Sequence, residues 1–185
     1  MRILATLLLL SGCYKTTQVF TPQPDSLEAD VTALELGISA ANQIAGCKLI
    51  ALDFNAVPNL TFSTNPTCYA RLAADDAEGE TRLSTLDAPR ICVRSFATYP
   101  QATQWDGILA AADSGNTTGH ITSNAAAAVV LLHEIGHAEG VLPHSKTLGD
   151  IMYADGALSR VGLYNDESLR RYVAELKAEG AKCLE

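Results

Sequence analysis

HEIGHAEGVLPHSKTLGDIMY, residues 133–153, is the stretch whose reading decides the fold. It opens on His133, Glu134 and His137, an HExxH arrangement. In a helix, positions i and i+4 lie one turn apart on one face, so both imidazoles can reach a single metal ion with Glu134 beside them. Catalytic zinc usually takes three protein ligands and keeps its fourth position open. Two histidines are therefore too few, and a third donor must come from later in the chain.

Gly140 follows within a turn, and glycine tolerates the left-handed conformation that stops a helix and turns the chain back. His144-Ser145 comes next, and then Asp150-Ile151-Met152-Tyr153. Together these residues resemble the metzincin zinc peptidases, whose signature is HExxHxxGxxH followed by a methionine turn, and above all their matrixin-like branch. The sequence departs from that signature at one place. Pro143 stands where the third histidine belongs, and His144 comes one residue later. One extra residue between Gly140 and His144, absorbed as a bulge, accounts for the offset. Should His144 not reach the metal, Asp150, Asp155 or Glu167 is the carboxylate to replace it, and Glu167 would make the site similar to a gluzincin.

The resemblance implies Zn2+ held by His133, His137 and His144, with Glu134 as the catalytic base. It gives Gly140 the turn, makes Met152 an apolar floor under the metal with Tyr153 beside it, and sets residues 154–157 along the substrate pocket. It also implies an α+β fold: a small, mixed, twisted sheet, a long N-terminal helix, a buried active-site helix and a C-terminal helix. The activity expected is that of an endopeptidase, working as a monomer on an extended polypeptide that pairs with the sheet's edge strand. A function of another class arises if the extra residue spoils the third ligand. The chain would then be a non-catalytic lipoprotein that binds peptide or cell-wall material.

The N-terminus bears on location. Met1-Arg2, the apolar run Ile3–Leu10 and Ser11-Gly12 have the charge, length and small residues of an export signal, and the run is too short to span a bilayer. Leu10-Ser11-Gly12-Cys13 resembles a bacterial lipobox, which implies cleavage before Cys13, a lipid on that cysteine and a membrane-anchored protein of the cell envelope. Residues 1–12 are thus expected as signal peptide, 13–24 as lipidated N-terminus and tether, and 25–185 as one peptidase domain. A net charge of −8 leaves no basic patch for nucleic acid.

Besides Cys13 there are four cysteines, Cys47, Cys68, Cys92 and Cys183. An even set in an exported chain reads as two disulfides, and no C-x-x-C pair points to a metal. Of three possible pairings, the preferred one joins Cys68 to Cys92 and Cys47 to Cys183.

Along the chain, Asp25 and Glu28 form a capping box for a helix ending near Gly46, with Leu27, Val31, Leu34, Ile38, Ala41 and Ala45 on its inner face. Strands are expected at 48–54, 60–63, 81–85 and 90–96 and across His120–Ser123, with an acidic solvated loop at 73–80. Residues 99–119, with Trp105, form a candidate cleft rim. The helix from Ala125 to Leu132 is apolar on every side and is expected to be buried. A last amphipathic helix starts at Asp166 and turns Leu169, Tyr172, Val173 and Leu176 inward.

Overall fold

The computed structural model describes residues 15–75, 77, 79–95, 123–141, 144–147, 150–153 and 166–185. In order, its elements are β1 (Val19–Phe20), α1 (Glu28–Ala45), β2 (Ala51–Leu52), β3 (Leu60–Phe62), α2 (Pro66–Asp75), β4 (Gly79–Arg82), β5 (Arg90–Val93), α3 (Ser123–Ala138) and α4 (Asp166–Ala178). The fold is α+β, with four helices among the described residues and small mixed sheets.

β1 and β2 pair in parallel, β3 pairs in parallel with β5, and β4 runs antiparallel on the other side of β5. A parallel bridge between Pro22 and Leu60 joins the two sheets. Asn59 reinforces it: its Oδ1 accepts from the Thr21 amide at 2.7 Å, and its Nδ2 donates to the Val19 carbonyl at 3.0 Å. Among the described residues, β4 is the antiparallel edge of its sheet.

α1 ends where expected, because Gly46 takes φ 71 and turns its amide back to Gln43. Its start differs from the expected capping box. Leu27 is the N-cap and supplies no side-chain bond, while Asp30 turns inward and accepts from Ser95 Oγ at 2.7 Å. The buried face is Asp30, Ala33, Leu34, Gly37, Ile38 and Ala41, so Leu27 of the expected stripe is exposed and Val31 and Ala45 are only half-buried. This face packs on α3, and α4 packs against α1 as well. Leu169, Tyr172, Val173 and Leu176 of α4 are all buried, as their helical spacing predicts. The Tyr172 hydroxyl donates to the Leu132 carbonyl at 2.7 Å, pinning α4 to α3.

The structure departs from expectation at other places as well. Residues 15–24 are not a tether from end to end: the Lys15 amide bonds to Ser84, the Thr17 amide bonds to Ala138, and Phe20 is fully buried. A two-residue strand is too short to show alternation, and its stabilisation comes from backbone pairing that composition does not display. The acidic stretch 73–80 is not all loop, since Asp75 ends α2 and Gly79 begins β4. No helix was expected at 66–75. Asn65 initiates it by accepting from the amides of Thr67 and Cys68 at 3.0 and 3.3 Å, with Pro66 at its first position.

Both preferred disulfides are present. Cys68–Cys92 fastens α2 to β5, and Cys47–Cys183 fastens the C-terminal segment to the end of α1. No described helix is long and apolar enough to cross a membrane. The signal peptide 1–12, Cys13, the rim at 99–119 with Trp105, His120, the residues Leu142 and Pro143 of the expected bulge, and the pocket wall at 154–157 lie outside the described residues.

Candidate metal centre

α3 carries the first two histidines on one face, and its burial gives them a rigid base: Ala127 through Leu132 and Ile135 are all buried. Each ring is aimed by a backbone carbonyl. The Nδ1 of His133 donates to Ile151 at 2.7 Å, and the Nδ1 of His137 donates to Val141 at 2.7 Å. A carbonyl oxygen can only accept, so both Nδ1 atoms carry a proton, and in the neutral ring each Nε2 presents a lone pair.

The chain reverses at Gly140, where φ is 108 and the Val141 amide bonds back to the Gly136 carbonyl at 2.9 Å. That reversal makes the Val141 carbonyl available to His137. It also brings His144 round to the pair, with its ring centroid 5.2 Å from that of His133 and 4.9 Å from that of His137.

Three Nε2 atoms converge here. His137 Nε2 lies 3.2 Å from His133 Nε2 and 3.1 Å from His144 Nε2. Ligands about 2.0–2.1 Å from a tetrahedral ion stand about 3.3–3.4 Å apart. Where lone pairs face each other at such a distance they repel, and either a shared proton or a metal ion between the rings relieves the repulsion. The C-terminal end of α3, with its partial negative charge, adds to that preference for a cation. His133, His137 and His144 thus form a group able to hold a metal ion, and they grade from buried His133 to exposed His144.

The loop from His144 to Tyr153 is closed on itself. The Ser145 amide bonds to the Met152 carbonyl at 2.7 Å, and Ser145 and Tyr153 form a parallel bridge. Asp150, a candidate replacement ligand, is occupied otherwise. Its Oδ2 accepts from Ser145 Oγ at 2.5 Å, and its Oδ1 lies 2.6 Å from Arg171 Nε on α4. Glu167 is exposed and 3.4 Å from Arg171, outside the histidine cluster, and Asp155 is not among the described residues. Met152 is buried beneath α3: a Cβ on Gly136 would lie 2.5 Å from its Sδ.

Glu134 is 6 % exposed and faces β4. Its Oε2 lies 2.8 Å from Thr81 Oγ1, and a Cβ on Gly79 would stand 2.6 Å from its Cγ and Oε1. Thr81, Gly79, Asp150 and Arg171 in these supporting roles were not legible in the sequence. Only Asp150 carried a signal, through its place two residues before Met152. Glu139, two residues past His137, is buried with no hydrogen-bond partner among the described residues on either carboxylate oxygen, and burial pushes its carboxyl up to about 8.

No known protein family, curated protein or solved structure matches this chain.

Proposed function

We propose that this chain is a zinc-dependent endopeptidase of the metzincin type, matrixin-like, carried on the bacterial cell envelope by a lipid on Cys13. The observation that carries the reading is the convergence of the Nε2 atoms of His133, His137 and His144, with Glu134 one residue from the first of them. Zinc bound there would supply a nucleophile near neutral pH and polarise the scissile carbonyl. Glu134 takes the proton of the attacking water and returns it to the departing amine. The buried Met152 gives the site an apolar floor, and β4, an antiparallel edge, offers backbone groups to an extended polypeptide.

The experiment is Glu134→Gln assayed for metal and for cleavage of a broad peptide library. Zinc retained with cleavage lost is the expected outcome. Wild-type protein that holds one zinc and cuts no peptide would favour instead the non-catalytic peptide- or cell-wall-binding lipoprotein.

A further inference from the structure

We infer that Thr81 of β4 is a positioning residue for the carboxylate of Glu134, so that the strand offered to the substrate also seats the catalytic base; this rests on the peptidase reading above. In β4, residues 79 and 81 share one face, and both meet Glu134. Thr81 Oγ1 stands 2.8 Å from Glu134 Oε2 and 2.9 Å from the Glu134 carbonyl oxygen. One hydroxyl proton serves one acceptor at a time, and the charged carboxylate is the stronger acceptor. Threonine is also stiff about its first torsion, so the hydroxyl is held in place at little cost in entropy.

Gly79 completes the seat from the other side. A side chain there would overlap Cγ, Cδ and Oε1 of Glu134, at 2.6 to 2.8 Å, so the space the carboxylate needs exists only because position 79 has no Cβ. The two neighbours, one bonding and one absent, limit how the carboxylate can turn. β4 is itself fixed by its pairing with β5, Gly79 opposite Val93 and Thr81 opposite Ile91. Glu80 and Arg82 alternate to the opposite face, where Arg71 and Arg82 both bond to Glu80. The face toward α3 is therefore given over to Glu134.

The test compares Thr81→Val, which keeps the shape and removes the hydroxyl, with Thr81→Ser, which restores it. Zinc content and melting temperature establish that each variant is folded and loaded. Two readouts follow: kcat and KM on a cleaved peptide, and the affinity of zinc-loaded protein for acetohydroxamate, which chelates through two oxygens and offers a proton to a carboxylate beside the metal. Thr81→Val is expected to lower kcat about tenfold or more with KM little changed, and to weaken acetohydroxamate about tenfold. Thr81→Ser is expected to rescue both. If Thr81→Val fails to fold, Gly79→Ala displaces the same carboxylate and should give the same split. Unchanged acetohydroxamate affinity in loaded Thr81→Val, or a loss confined to melting temperature, overturns the inference. Should wild type cut no peptide, the peptidase reading falls, and the acetohydroxamate comparison still decides whether Thr81 seats Glu134.

Discussion

His133 donates its Nδ1 proton to the carbonyl oxygen of Ile151, 2.7 Å away and 18 residues on in the chain. The backbone immediately before Met152 therefore sets the tautomer and tilt of the first histidine. This makes the segment around Met152 part of the candidate metal centre's support, through its backbone as well as its side chain.

Gly136 and Met152 are coupled by contact, so they should also be coupled in energy. An alanine at 136 would bring its Cβ to 2.5 Å from Met152 Sδ and 3.1 Å from Tyr172 Cε2. Gly136→Ala is expected to destabilise the protein by about 1–3 kcal/mol, the usual cost of overpacking a buried site. Shortening the methionine in Gly136→Ala/Met152→Ala should recover part of that loss, read as non-additivity in denaturant melts. Additive losses would show that the two side chains do not compete for the same space.

Asp150 should act on metal affinity without being a ligand. It receives Ser145 Oγ on one oxygen and faces Arg171 on the other, so it ties the His144 loop to α4. Asp150→Asn is expected to weaken zinc binding about tenfold, the range for residues that orient a ligand. Competition with a chromogenic chelator checks it. An unaltered constant would mean that the backbone bonds of Ser145 hold the loop unaided.

Glu139 gives the stability a defined pH dependence. Burial disfavours its charge and pushes its carboxyl from the ordinary 4.5 up to about 8 in the folded chain. The folded state then keeps a proton that the unfolded state has lost, so this contribution is fully present below pH 4.5 and disappears as pH rises toward 8. The slope from one such group is about 1.4 kcal/mol per pH unit. Glu139→Gln should flatten that part of the profile in urea melts run at saturating zinc. Parallel profiles for the two proteins would exclude a buried neutral Glu139.

Much of this is legible in the sequence, and the reason differs from place to place. α4 was readable because Leu169, Tyr172, Val173 and Leu176 repeat at helical spacing beside a polar face, and all four are buried. α3 was readable from a run with no polar side, and the pair Cys68–Cys92 from its position in the order of elements. The Gly79–Thr81 seat for Glu134 was not, since it joins residues 53 apart through a contact that leaves no local pattern. The segment from Lys15 to Phe20 looked like a tether because its Thr and Gln residues carry no periodicity, yet its backbone and one ring enter the domain. Asn65-Pro66 carries a helix-start signal, a side-chain acceptor followed by proline, in a stretch without a strong apolar periodicity.

The central claim, that three imidazoles hold one catalytic zinc, is tested most directly by zinc titration of wild type beside His144→Ala. The account predicts one zinc per wild-type chain and an affinity at least about a hundredfold weaker in the variant, as expected when one of three ligands is lost. Equal affinities, or a wild-type chain that binds no zinc, would contradict it.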